Sequence, residues 1–416
     1  MTLHAFGPDI LRLTDELAAI SETPGALTRV YLSPEQRRAS DLVLGWMKDA
    51  GMSAGLDAVG NVVGRYEGER PGAPALMLGS HLDTVRDAGR YDGMLGVVVP
   101  ILCVKALARE GRRLPFAIEV VGFADEEGVR FQSTLIGSRA VAGTIDPKVV
   151  LLKDANGISL GDAMRAFGLD PDAIAKAARR REDVLAYVEI HIEQGPVLEA
   201  RGLALGIVTS IAGAARLQVE LAGMAGHAGT VPMNLRQDAL AGAAECVLAV
   251  ERRCKDIDGL VGTVGKIEAL PGAINVIPGA VRFTMDIRAG TDSVRRAAVA
   301  DILKVIDDIA ARRKLGAKVV KLHENDCAAC APWLMDQIGR AVTGEGVRRF
   351  DLPSGAGHDG MAMIALADIG MLFVRCKAGI SHNPAEAITL EDAEIGARAL
   401  LRFIRNFQPR NAKRAA

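Results

Sequence analysis

The chain has 416 residues, with 50 Lys plus Arg against 51 Asp plus Glu, and a formal charge of -1 offers no bulk attraction to phosphate backbones or anionic lipid. Nucleic acid and membrane are therefore not expected as partners. A hydrophobic fraction of 49% with 45 glycines excludes a disordered chain, and the length suits two or three domains around a large core.

The opening MTLHAFGPDILRLTDEL has neither a basic start nor a small-residue cleavage site, and its acids argue against a transit peptide, so a cytoplasmic protein is expected. Ile10, Leu13 and Leu17 recur at helical spacing, and Ser33-Pro34-Glu35-Gln36 reads as a capping box that starts a second helix. Apolar, strand-like runs follow at Ala75 to Gly79, Phe116 to Phe123, Leu185 to Ile190 and Met371 to Arg375, alternating with helical stretches. The pattern predicts an α/β layered domain. Gly93 to Val104 is the greasiest stretch, and Lys105 ends it before it could span a bilayer. Six scattered cysteines suit a reducing compartment; Cys327 and Cys330 form a C-x-x-C pair without the second pair that a structural zinc site would use.

The middle of the chain reads differently. Strand-like Arg216 to Leu221, a helix at Asp238 to Arg253, strands at Val261 to Ile267 and Val281 to Ile287, a helix at Ser293 to Arg312 and a strand near Lys318 to Leu322 give the order βαββαβ. This is a ferredoxin-like unit, expected at 213–328 as a lid or dimerisation domain inserted between 1–212 and 329–416. The last part resumes α/β alternation and ends in an amphipathic helix, Leu390 to Phe407, before a basic tail of Arg410, Lys413 and Arg414 that reads as a solvated end.

Residues just beyond strand ends carry the chemistry. Gly79-Ser80-His81-Leu82-Asp83, Tyr91-Asp92-Gly93 and Ala124-Asp125-Glu126-Glu127-Gly128 follow predicted strands, joined by His191 after Val188-Glu189-Ile190 and His382 after the strand at Phe373. Imidazole and carboxylate are the usual ligands of Zn²⁺, and strand ends hold them rigidly with a position left open for water. Any one histidine could be an ordinary hydrogen-bonded side chain; their gathering beside glycines and acids at one sheet edge points to metal. His4 and His323 lack that setting and are read as structural or solvent residues. In an extended turn adjacent side chains diverge, so Glu127 can face a metal while Glu126 takes a proton from water. Asp92 could bridge two divalent ions, and Asp83 could fix the tautomer of His81. Ser354-Gly355-Ala356-Gly357-His358-Asp359 invites a serine-hydrolase reading, but it has no G-x-S-x-G elbow.

The runs GSHLDTV, YDGMLG, FADEEGVRF, EIHIEQGPVLE, AGHAGTVPM, INVIPG, MDIR, SGAGHD and GISHNPAE resemble the M20-type amidases of the hydantoinase/carbamoylase group. That group includes allantoate amidohydrolases, N-carbamoyl-L-amino acid hydrolases and β-ureidopropionases. The resemblance implies a two-domain M20-like architecture with a mixed-sheet catalytic domain. It implies one metal on His81 and His191, the other on Glu127 and His382, Asp92 between them and Glu126 as general base. Two ions per subunit are expected, Zn²⁺ first, with Mn²⁺, Ni²⁺ or Co²⁺ also suited to these ligands. His191 stands where peptidase relatives commonly place an acid, and Gln194 is similar to a glutamine that contacts the ureido group; both favour the amidase branch over a peptidase or deacylase. By the same resemblance Arg288 grips the substrate carboxylate, and His227 and Asn275 complete that pocket, in cis or from a partner subunit of a homodimer. Without it, Arg288 would read as one half of a surface ion pair. Ser354 and His358 either touch substrate or shape the glycine-rich loop. The implied activity is cleavage of the terminal C–N bond of a linear ureido acid. Allantoate is the first choice, with N-carbamoyl-L-amino acids and N-carbamoyl-β-alanine as alternatives.

Overall fold

Four apolar runs become parallel strands in the order Ala117–Phe123, Ala75–His81, Val184–Ile192 and Ile369–Val374. The structure is a computed structural model describing residues 5–255 and 257–410; His4, Lys413 and Arg414 lie outside the described residues. Antiparallel strands extend both edges, Val62–Tyr66 and Ser53–Leu56 on one side and Leu205–Ile211 on the other. The sheet is therefore mixed. Every residue of Ala75–His81 and Ala117–Phe123 is buried, which is why both strands read as nearly continuous apolar runs.

The chain divides into two compact units, one of Met1–Thr209, Cys330–Leu352 and Gly357–Ala416, the other of Ser210–Ala329 and Pro353–Ala356. In the larger unit, helices Gly7–Ala18, Met94–Arg109, Pro332–Gly344 and Leu390–Asn406 send Ile10, Val98, Ile338 and Leu400 into one core with Leu76, Val188 and Val374 of the sheet. The greasy stretch after Gly93 is thus a core helix. Among the described residues no helix is long and apolar enough to cross a membrane. Helix Pro34–Asp49 starts at the expected cap: Ser33 Oγ accepts from Gln36 N at 3.0 Å, while Gln36 Oε1 accepts from Leu32 N at 2.6 Å.

The smaller unit carries strands Gly213–Ala222, Ala280–Ala289 and Gly316–Asn325 and helices Ala239–Lys255 and Asp292–Arg313. The strand expected at Val261 to Ile267 is instead two short ones, Leu260–Thr263 and Ile267–Leu270, both paired with Ala280–Ala289. From Thr263 to Ile267 the chain takes four steps while its partner takes three, from Asp286 to Phe283; one extra residue bulges at this point and breaks the strand. Leu217, Val219, Phe283 and Ile287 pack under the helices against Ala243, Val250 and Ile302. Alternation puts Arg216, Thr284, Asp286 and Arg288 on the opposite face. Pro353–Ala356 joins this unit because Ser354 O accepts from Ala212 N at 2.9 Å.

Close strand packing has a direct consequence at Gly79, where a Cβ would lie 2.0 Å from Val121 O in the neighbouring strand. Gly79→Ala is expected to destabilise the protein by about 3 kcal/mol or more. Ser33→Ala, which removes one helix cap, is expected to cost about 1 kcal/mol. Thermal unfolding followed by circular dichroism should rank them in that order. A wild-type midpoint for Gly79→Ala would contradict the packing described.

Candidate active site

His81 ends its strand, Asp92 lies just before helix Met94–Arg109, Glu126 and Glu127 follow Ala117–Phe123, and His382 follows Ile369–Val374. His191 was expected just after its strand; it lies within it, paired with Phe373, because Val184–Ile192 continues two residues further than its apolar run. Folding brings all these side chains together. Asp92 Oδ1 lies 3.6 Å from His81 Nε2 and 3.2 Å from His191 Nε2. Its other oxygen, Oδ2, lies 3.1 Å from His382 Nε2, which is in turn 3.3 Å from Glu127 Oε1. One carboxylate thus faces two donor sets, His81 with His191 and Glu127 with His382.

The donors fit divalent cations. Ligand bonds of roughly 2.0–2.2 Å in a tetrahedral arrangement leave neighbouring donor atoms about 3.3 Å apart, close to the spacings around Asp92. Tautomers are suited as well. His81 Nδ1 is 2.9 Å from Asp83 O and His191 Nδ1 is 2.9 Å from Ile192 O, so each ring places its proton there and turns Nε2 inward. Gly93, at φ 72°, allows the approach; a Cβ there would lie 2.5 Å from the His81 ring.

Asp83 works differently from the expectation. Its main-chain oxygen, not its carboxylate, fixes His81, because the carboxylate oxygens are taken by Glu126 N at 3.0 Å and Glu127 N at 3.1 Å. Asp83 therefore holds the two-glutamate turn in place. Glu126 Oε lies in the same cluster as His81 and Glu127, and burial, with Glu127 and Asp359 nearby, pushes its pKa well above the usual range despite the opposing pull of His81.

Gln194 donates from Nε2 to Asp92 Oδ2 at 3.0 Å and to Ser381 Oγ at 3.1 Å, and its buried Oε1 has no hydrogen-bond partner among the described residues. Both Gln194, at φ 56°, and His382, at φ 54°, adopt left-handed backbone, the kind of strain that accumulates at functional sites. His358 is buried with its ring edge-on to His191, centroids 4.5 Å apart, and burial beside His191 pushes its pKa well down, which favours the neutral ring.

Sequence reasoning missed two supports. Glu386 Oε1 accepts from Tyr91 N at 2.8 Å and Asp92 N at 3.1 Å, and its Oε2 accepts from Ser381 Oγ at 3.0 Å. Glu189 accepts from Ser80 Oγ at 2.7 Å and Tyr187 OH at 3.0 Å beside His191. Glu189 and Glu386 both stand inside the motif runs, but nothing in a linear pattern marks a buried second carboxylate.

The remaining candidates belong to the smaller unit. Strand pairing sets Val276 opposite His227, and Ala228 N donates to Asn275 O at 3.0 Å, so His227 and Asn275 are neighbours. Gly229 N donates to His227 Nδ1 at 3.0 Å, so this nitrogen acts as an acceptor and Nε2 is left for other partners. Ser354 Oγ bridges Ala356 N and Ala356 O at 3.2 Å each, shaping the glycine-rich turn. Arg288 is ion-paired: Nε and Nη2 meet Asp286 at 3.0 and 2.9 Å, and Nη1 donates to Gly355 O at 2.8 Å. Of its five N–H donors, one on each Nη remains open to a carboxylate.

In the metal-free site, burial opposes charge on His81 and His191, but Asp92 and the other carboxylates overcome it and raise both pKa values; Asp92 and Glu127 push His382 up to about 10. At pH 7 His382 therefore carries a proton that a bound cation must expel. Adding Zn²⁺ to metal-free protein in weak buffer should release protons, with affinity falling as pH falls. His382→Asn should release fewer. Binding without proton release would contradict this charge state.

Residues 77–406 match the model of peptidase family M20/M25/M40. The chain is 44% identical to an N-carbamoyl-L-amino acid amidohydrolase of Geobacillus stearothermophilus, over 92% of this chain and 94% of that protein. It is 42% identical to an allantoate deiminase of Arabidopsis thaliana, over 94% of this chain and 80% of that protein. A solved hydantoinase/carbamoylase family amidase from Burkholderia multivorans superposes with a TM-score of 0.92 at 32% identity, covering 99% of this chain and 100% of that one. With its histidines and acids gathered at the sheet edge, the chain belongs to the M20 family and, within it, to the hydantoinase/carbamoylase amidases.

Proposed function

We propose that the protein is a binuclear metal-dependent amidohydrolase that cleaves the terminal C–N bond of a linear ureido acid, most simply allantoate, releasing ammonia and CO₂. The single observation that carries this reading is the split of Asp92 between the His81–His191 and Glu127–His382 sets. Two divalent cations held there, Zn²⁺ first and otherwise Mn²⁺, Ni²⁺ or Co²⁺, would lower the pKa of water and polarise the ureido carbonyl. Glu126 takes the proton of the attacking water and hands it to the leaving nitrogen, a task suited to a buried carboxyl whose pKa burial has raised. Water oxygen bonds to the ureido carbon as the bond to the terminal nitrogen breaks and ammonia leaves; the carbamic acid that remains then loses CO₂ as its own N–C bond breaks and its nitrogen takes up the proton. Gln194 offers its unpartnered Oε1 to a ureido N–H.

In this reading the inserted unit is a ferredoxin-like lid of order βαββαβ, which supplies Arg288 for the substrate carboxylate and His227 with Asn275 for the oxyanion. The allantoate deiminase relatives support the substrate choice, while the Geobacillus relative keeps N-carbamoyl-L-amino acids as a second reading. Six free cysteines agree with a reducing, cytoplasmic setting.

The protein also works as a homodimer through the inserted unit. Support comes from Gly316–Asn325, an edge strand that among the described residues pairs only with Gly213–Ala222 and is exposed almost throughout.

Ammonia release measured side by side on allantoate, an N-carbamoyl-L-amino acid and N-carbamoyl-β-alanine should be fastest with allantoate; inactivity on all three would sink the ureido reading. Glu126→Gln should lower kcat by at least about 100-fold while metal content by elemental analysis stays at the wild-type level. Wild-type activity would remove Glu126 from the reaction. Light scattering should give twice the chain mass of 43.9 kDa, and a single-chain mass would refute the dimer.

A further inference from the structure

Resting on the binuclear metal reading, we propose that Arg29 is a positioning residue for the metal set of His81, His191 and Asp92: its buried guanidinium ties together the two ends of the loop that joins His81 to Asp92. Arg29 stands outside every motif run of the site. Residues 82–91, between the two donors, form no helix and no strand beyond an isolated bridge from Ala88 to Leu27. A loop of this kind keeps two ligands in place only if something outside it fixes its path. That support is the segment 27–29. Ala88 N donates to Leu27 O at 2.8 Å, Asp87 N to Thr28 Oγ1 at 3.1 Å and Thr84 N to Arg29 O at 3.0 Å, while Arg29 N donates back to Thr84 Oγ1 at 2.9 Å.

The side chain of Arg29 reaches further than its backbone. Nε donates to Leu82 O at 2.9 Å, directly after His81, and Nη2 meets Met94 Sδ at 3.0 Å, two residues beyond Asp92. Nη1 donates to Leu17 O at 2.8 Å and Ile20 O at 3.0 Å, carbonyls at the C-terminal end of helix Gly7–Ala18, where a cation is favoured. One rigid planar fork thus spans a helix end, the His81 side and the Asp92 side.

A guanidinium in the core costs stability unless it is paired, and among the described residues no carboxylate hydrogen-bonds to the fully buried Arg29. Burial lowers its pKa to about 10 against the pull of Asp83 and Glu22, so it keeps its charge at pH 7. An apolar side chain could fill the space but could not aim these carbonyls. The aim matters at Leu82, because the next carbonyl, that of Asp83, fixes the His81 ring; a shift of one moves the other. Among the described residues the side chain of Arg29 makes no hydrogen bond to the segments that carry Glu127 or His382, so its effect falls on one metal set.

Chelator competition measures the two stepwise Zn²⁺ affinities of wild type, Arg29→Met, Arg29→Lys and Met94→Leu, with thermal unfolding of each metal-free protein alongside. Arg29→Met should weaken one affinity about tenfold or more and the other less. Arg29→Lys, with one charged nitrogen in place of the fork, should fall between it and wild type. Met94→Leu removes only the sulfur acceptor at nearly constant volume and should weaken the same step to a smaller degree. If Arg29→Met does not fold, the other two variants decide by the same readout. A lowered Tm with both affinities at wild-type values would make Arg29 a purely structural residue and overturn the proposal, as would an equal loss at both steps. Wild type that binds fewer than two ions would defeat the binuclear reading and this inference with it. Two ions on wild type, held as tightly by the variants, would defeat this inference alone.

Discussion

Asp92 stands between two groups of imidazoles, with Oδ1 toward His81 and His191 and Oδ2 toward His382, and much of its surroundings serves to keep it there. Burial alone would neutralise this carboxyl; three imidazoles reverse the effect and hold its pKa well below the usual range. Behind it, Glu386 grips the backbone N–H groups of Tyr91 and Asp92, and Ser381 ties Glu386 to Asp92 Oδ2. Gly89 makes room for this brace, since a Cβ there would lie 2.2 Å from Glu386 Cδ. The loop that presents Asp92 is thus fixed by a buried acid far away in sequence, which suits a centre whose donors must be in place before any cation arrives.

The fold turns that constraint into a site by simple means. Parallel strands run in the same direction, so residues at their ends converge on one edge although they are spread from His81 to His382. Asp83 then does two jobs with different atoms. Its carbonyl fixes the His81 ring and its carboxylate holds the Glu126–Glu127 turn, so His81, Glu126 and Glu127 share one anchor. In the smaller unit Asp286 acts in a comparable way, one carboxylate holding two guanidiniums on one face of a sheet.

Much of this was legible in the sequence because strand ends, glycines and ligand-type side chains leave local marks. His81, Asp92, Glu127, His191 and His382 were found that way, as were the capping box at Ser33 and the face of Arg288. What stayed hidden depends on three-dimensional closure. The bulge between Thr263 and Ile267 is a difference in step count between two strands, invisible in either alone. The left-handed backbone at Gln194 and His382 is imposed by tertiary packing against residue preference. The choice of the Asp83 carbonyl over its carboxylate for His81 depends on where the Glu126 and Glu127 N–H groups fall.

Anomalous diffraction from crystals of the protein loaded with Zn²⁺ or Mn²⁺ tests the central claim most directly. Two peaks about 3.5–4 Å apart are predicted, one beside His81 and His191 and one beside Glu127 and His382, with the Asp92 carboxylate between them. A single peak at full loading, or two peaks that do not share Asp92, would contradict the account.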